Sequence, residues 1–200
     1  MRHLTAKILL LGYLLLFVWG AIAPYSRATW WAENIPIVMI ALALIFLYLR
    51  GFVFSPLAYG MMAVLLYLHT IGGHYTFERV PFGFITNLFG LQRNDYDRVA
   101  HFSVGFYAYA IAEALVVTRA VRSRWVLFLF PVFAIGFVAM TYEIIEWLYA
   151  AADGGTSGAE FLGSQGDVWD AQKDMGIAFM GAVLSMLIFY VSEKIARKGK

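Results

Sequence analysis

Cysteine is absent from the 200 residues, so neither a disulfide framework nor a thiolate metal site can form. Charge is scarce as well: Asp, Glu, Lys and Arg make up 14% of the chain, against 62% hydrophobic and 18% aromatic residues. A soluble chain covers its core with charge, about a quarter of its residues, and here that cover is missing. No basic residues interleave with exposed aromatics as a nucleic-acid surface requires, so no nucleic-acid partner is expected. The net charge is only +2, and the one dense basic stretch is the tail EKIARKGK. The glycine-rich segment ADGGTSGAEFLGSQGD (152–167) lacks the Gly-Lys-Ser/Thr of a phosphate-binding loop and the alternating acids of a calcium loop. There is no H-E-x-x-H motif and no serine-histidine-acid order.

What is present is a series of apolar runs. Six of them, near residues 7–23, 35–50, 56–73, 98–118, 125–149 and 169–192, approach the ~20 residues a helix needs to cross the hydrocarbon core. The chain therefore reads as all-α, a polytopic membrane protein whose residues 1–200 form a single six-helix integral membrane domain. Asn34 with Pro36 is read as opening the second span, Ser55–Pro56 the third, and Asp95 or Asp97 the fourth. Pro131, inside the fifth, is expected to kink it. The first span also resembles a secretory signal, with Lys7 before the apolar stretch and AIA at 21–23; Pro24 after the would-be cut favours its retention.

Lys and Arg are sorted by side. Arg2, Lys7, Arg50, Arg119, Arg122, Arg124, Lys194, Arg197, Lys198 and Lys200 flank one side; Arg27, Arg79, Arg93, Arg98 and Lys173 flank the other. Ten against five predicts both termini in the cytoplasm. The longer outer connections are then 24–34, 74–97 and 150–168.

Polar residues converge on the outer side. His69 and His74 flank the outer end of the third span, and Asp97 and His101, four apart, share a face at the start of the fourth. Glu143 and Glu146 lie three apart in the fifth, and Asp167, Asp170 and Asp174 follow at i, i+3 and i+7 in the sixth. Bland readings exist for several. Asp167 and Asp170 suit a helix start, His69 and His101 suit interhelical hydrogen bonds, and His74 suits the interface. Asp174 lies too deep for a cap. Ionised Glu143 and Glu146 are expensive in hydrocarbon, which makes intramembrane acids functional candidates by default. Glu113 stands alone, deeper in the fourth span. The candidate ligand set is Asp97, His101, Glu143, Glu146, Asp170 and Asp174, with His69 weaker. Histidine with carboxylates suits a divalent Mg, Mn, Zn or Fe ion.

For the stretch GSQGDVWDAQKDMGIAFMGAV, Asp167 is expected to cap the sixth helix while Asp170 and Asp174 face inward. Lys173 points outward, snorkelling to the interface. Gly176, Gly181 and Ala182, with Gly105 and Ala108, are expected to let the fourth and sixth spans approach closely. Trp30, Trp31, Trp147 and Trp169 are read as interfacial anchors. Residues 75–98 suit a short in-plane helix over the site, and residues 152–167 a mobile loop.

HTIGGHYTF, YDRVAHFSVGF, EIIEW and FLGSQGDVWDAQKDM, in that order, resemble the YjdF-like inner-membrane proteins of bacteria over nearly the whole chain. Residues 97–186 are more faintly similar to the VanZ-like membrane proteins linked to glycopeptide-antibiotic resistance, through Asp97, His101, Phe102, Glu143, Glu146, Asp170 and Asp174. The chain departs from that second pattern in its longer outer loops and two extra N-terminal spans. The resemblance implies a multi-pass bacterial inner-membrane protein and fixes no reaction. Two function classes fit: a metal-dependent enzyme acting on a lipid or polyprenyl head group, or a transporter or sensor that binds an ion, proton or amphiphile without chemistry.

Overall fold

The computed structural model describes residues 1–198, without the side chains of residues 156, 157, 160 and 196–198. Of the basic residues counted by side, Lys200 and the side chains of Arg197 and Lys198 therefore lie outside the described residues. Those described form nine α-helices and no strand. Six segments are long and apolar enough to cross a membrane. α1 (Arg2–Gly20) is the first.

α2 (Arg27–Leu49) begins well before the position expected from Asn34 and Pro36. Ser26 caps it, its Oγ accepting from the Thr29 N–H at 3.3 Å. Pro36 sits inside the helix, and Asn34 is a buried residue whose amide donates to the Trp30 carbonyl one turn back at 2.9 Å. The physical reason is that a serine cap precedes the apolar run by a polar turn, and this turn is buried among neighbouring helices rather than solvated. Residues 24–34 are consequently mostly helix, and Trp30 is core rather than an interfacial anchor. Trp31, Trp147 and Trp169 are exposed.

α3 (Pro56–Tyr75) starts as Ser55–Pro56 indicates, with Ser55 Oγ accepting from the Ala58 N–H at 3.2 Å. Glu113 accepts from the Ser55 N–H and hydroxyl, each at 2.6 Å, so this acid is committed to holding a helix start. α3 ends in a left-handed turn at Thr76 and Phe77, φ +61° and +50°. That turn folds the Phe77 ring back over Gly72, where a β-carbon would overlap it; a β-carbon on Gly73 would meet the Asn34 amide of α2. The adjacent glycines of HTIGGHYTF thus admit one aromatic ring and one neighbouring helix.

α4 (Gly83–Phe89) follows in the connection between the third and fourth spans, with Phe84, Leu88 and Phe89 exposed. The fourth span is broken into α5 (Tyr96–Val104) and α6 (Tyr107–Val117). Asp95 stands at the N-cap of α5 as expected, though its side chain makes no capping hydrogen bond; Asn94 Oδ1 accepts the Tyr96 N–H at 3.1 Å. At the break the backbone tightens, with Gly105, Phe106 and Ala108 each bonding three residues back. Ser185 patches it, accepting from the Tyr109 N–H at 3.1 Å and donating to the Phe106 carbonyl at 3.2 Å.

α7 (Arg124–Asp153) runs through Pro131, capped by Ser123. α8 (Thr156–Leu162) lies where a mobile loop was expected, because Phe161 is buried against Tyr149 and Tyr142. α9 (Asp170–Lys198) completes the bundle.

α3 is the central helix, packed on α1, α2, α5 and α6, while α9 packs on α5, α6 and α7. α5 and α9 meet at glycine: a β-carbon on Gly105 would overlap the backbone of Ala178, Gly181 and Ala182, and one on Gly181 would overlap the Phe102 carbonyl. Gly176, by contrast, is exposed with open space around it, one face removed from that crossing. Leu11, Leu14 and Leu15 of α1, Leu42 and Phe46 of α2, and Phe133 and Phe137 of α7 point outward, as lipid-facing residues do.

Candidate metal centre

α5 supplies the first two groups. Asp97 and His101 stand one turn apart, Oδ1 to Nε2 3.5 Å. α7 brings Glu143, whose Oε1 lies 3.8 Å from the same Nε2, and α9 brings Asp174. Ligand atoms of Asp97, His101 and Asp174 all lie within 4.8 Å of one another. The close α5–α9 crossing at Gly105 and Gly181 is what brings the last of these alongside. Asp174 is 2% exposed and Glu143 8%. Three atoms of this group, His101 Nδ1, Glu143 Oε1 and Asp174 Oδ1, are buried without a hydrogen-bond partner. Leaving such atoms unsatisfied costs ~1–3 kcal/mol each, more when charged. The donor set, one imidazole and carboxylates, is one that could hold a divalent ion.

Beside it lies a second constellation. Glu33, 3% exposed on α2, puts Oε2 3.1 Å from Nε2 of His69 on α3. The Tyr142 hydroxyl donates to the same oxygen at 2.8 Å and lies 3.4 Å from His69 Nε2. The Phe77 ring stands edge-on to His69 at 4.9 Å. Glu146 is buried next to them. Neither Glu33 nor Tyr142 was singled out from the sequence, because residues 24–34 read as a loop and a tyrosine among twelve carries no spacing signal. The usable clue for Glu33 was Ser26, a cap that places Glu33 two turns into a helix.

A layer of arginines covers the cluster. Arg93 pairs with Asp170 and donates to the Ser164 carbonyl at 3.0 Å. Arg98 pairs with Asp167 at 2.6 Å and reaches Asp170 at 3.4 Å. Asn94 and Gln165 exchange two hydrogen bonds, 3.1 and 2.9 Å, between the connection before α5 and the connection before α9. The sequence expectation that Asp170 faces the ligand pocket is therefore corrected. Its carboxylate is engaged by two guanidiniums, since the loop carrying Arg93 folds across the start of α9. Lys173 is likewise not free at the interface, but returns to Asp167 at 2.6 Å. Asp167 accepts the Trp169 N–H at 3.1 Å, just ahead of α9. The Lys173 hydrogen bond, with those of Trp169 and Arg98, holds its carboxyl well below the usual carboxylate range. His74 does not join the site: Nδ1 donates to the Gly20 carbonyl at 3.0 Å, closing the end of α1, with the Trp19 ring tilted against it at 4.5 Å.

Asp97, His101, Glu143, Glu146 and Asp174 are thus brought to one end of the bundle together with His69 and Glu33. Residues 5–194 match the family model described as "Predicted membrane protein (DUF2238)". The chain belongs to that family. It is also 36% identical over 176 residues to the inner membrane protein YjdF of Escherichia coli strain K12, covering 86% of this chain and 83% of that protein. No solved structure matches. The matched residues run from within the first apolar helix into the last and include every clustered residue named above. With the inner-membrane relative and six spans, the chain is a multi-pass inner-membrane protein.

Proposed function

We propose that this DUF2238 protein binds a divalent metal ion through Asp97, His101 and Asp174, with Glu143 beside them, and uses it on a lipid or polyprenyl head group. The observation that carries the reading is an imbalance of charge in a buried place. Five buried or half-buried carboxyls, Glu33, Asp97, Glu143, Glu146 and Asp174, gather with two histidines. Among the described residues only Asp174 has a guanidinium within ion-pair range, the Arg98 Nε at 3.9 Å, too far for a hydrogen bond. A charged side chain in the membrane interior costs at least ~2.5–3.5 kcal/mol, so such a group calls for a cation of its own. A bound metal would supply a Lewis acid to polarise a phosphoryl or ester oxygen. Glu143, with an unengaged oxygen 3.8 Å from His101 Nε2, would take a proton from an attacking water.

The packing beneath the cluster favours this reading over conduction. Met62, Ala108, Ile135, Ala139, Ala178 and Ala182 form a buried apolar layer between the cluster and the other end. Beyond it the acid Glu113 is held by Ser55.

The test is metal content and turnover. Chelator-treated protein, repurified and offered Mn²⁺, should regain bound metal, and Asp174→Asn should lose it while staying folded. Glu143→Gln should keep the metal and lose any metal-dependent release of head group from phospholipid or polyprenyl-phosphate vesicles. Wild-type protein that takes up no metal would sink the proposal. Metal uptake with no head-group release would leave the ion-sensor alternative standing.

A further inference from the structure

The geometry points to a second divalent-cation position beside the first, held by Glu33, His69 and Glu146 and joined to it by the Asp97 carboxylate. This rests on the first position being a metal site, and it turns a single-ion centre into a two-ion one. A cavity of about 10 Å³ lies between α2, α3, α5 and α7, lined by Glu33, His69, Asp97, Tyr142 and Glu146 among others. It has room for about one water molecule or a bare ion, and no lysine or arginine lines it.

Three relationships favour an ion there. First, His69 Nε2 and Glu33 Oε2 are 3.1 Å apart. Two ligand atoms ~2.1 Å from one ion, at a right angle, are separated by about that distance. Second, Glu146 is 7% exposed, lines the cavity and shares a side-chain hydrogen bond with Glu143, another acid. A buried carboxyl facing a carboxyl needs a cation or a shared proton. Third, the two oxygens of Asp97 serve different sides. Oδ1 faces His101 at 3.5 Å, while Oδ2 lies 4.0 Å from where a β-carbon on Gly163 would stand, and Gly163 lines the cavity. A carboxylate so turned can bridge two ions, the arrangement of two-metal sites whose ions lie ~3.5–4 Å apart. The Tyr142 hydroxyl, donating to Glu33 Oε2, would then orient a ligand from the outer shell.

The experiment uses the full chain purified in detergent, stripped with chelator and titrated with Mn²⁺. Bound metal is counted by mass spectrometry, and magnetic coupling is read by electron paramagnetic resonance. Wild type should bind two ions per chain and give a spin-coupled spectrum. Glu33→Gln and His69→Asn should each bind one ion and give an uncoupled Mn²⁺ spectrum, with elution and secondary structure unchanged. Glu146→Gln serves as the second test should either of those fail to fold. One uncoupled ion in wild type overturns the second position and leaves the first intact. No ion in wild type overturns both, so the two failures are told apart by the wild-type count alone.

Discussion

Oε2 of Glu33 lies 3.1 Å from Nε2 of His69 and accepts the Tyr142 hydroxyl at 2.8 Å, so one carboxylate oxygen ties α2, α3 and α7 together. Each of these helices presents apolar residues to its surroundings elsewhere, and apolar contact alone specifies depth poorly in a bilayer. A single buried polar node fixes their register along the membrane normal. Tyr142→Phe removes only the donor. It should lower stability by about 1.5–3 kcal/mol, the worth of a hydrogen bond to a charged group. The thermal midpoint of the detergent-solubilised protein measures this, and an unchanged midpoint would show that the hydroxyl is not holding the node.

Asp167 sits apart from that node, outside the spans. Asparagine retains the acceptor for the Trp169 N–H and loses only the pairs to Lys173 and Arg98, so Asp167→Asn should be mild. Its pH dependence has a definite sign. The folded-state pKa is depressed, chiefly by the Lys173 hydrogen bond. The contribution is therefore fully present above the ordinary value of ~3.9 and is lost as pH falls further toward the folded value. The midpoint difference between wild type and Asp167→Asn should stay constant from neutral pH to about pH 5 and close only below ~4. A difference that closed near neutrality would contradict the pairing.

The α5–α9 crossing makes a sharp contrast between two glycines of similar sequence context. Gly105→Val has no space, since its β-carbon overlaps the backbone of α9, which cannot swing aside as a side chain would. It should cost at least ~1–3 kcal/mol and, by parting Asp97 and His101 from Asp174, reduce metal uptake. Gly176→Ala meets open space and should be neutral or stabilising by up to ~0.5–1 kcal/mol. Equal effects at both positions would refute the crossing geometry.

Orientation in the membrane is a further expectation, carried by the basic residues. Reporter fusions after residues 85, 121, 160 and 200 should read outside, inside, outside and inside. A periplasmic C terminus would reverse the assignment and place the candidate site at the cytoplasmic face.

Much of this protein was legible in its amino-acid sequence because a bilayer imposes one-dimensional rules. Apolar length gave six spans, Ser55–Pro56 gave a helix start, and the i, i+3 and i+4 spacings of Asp97, His101, Glu143, Glu146, Asp170 and Asp174 gave their placement at one end. Those depend only on neighbours along a helix, and helical geometry is local. What the sequence could not decide was partnership. Whether Asp170 faces a ligand or an arginine depends on Arg93, seventy-seven residues away on a folded-over loop. Whether Glu33 sits in a loop or against His69 depends on neighbouring helices burying the polar turn after Ser26. Whether Gly176 or Gly105 lies at a crossing depends on which face of α9 meets α5. Each is a choice among faces and partners that are locally equivalent, and only close packing between distant segments, with its demand that every buried charge find a counterpart, selects one.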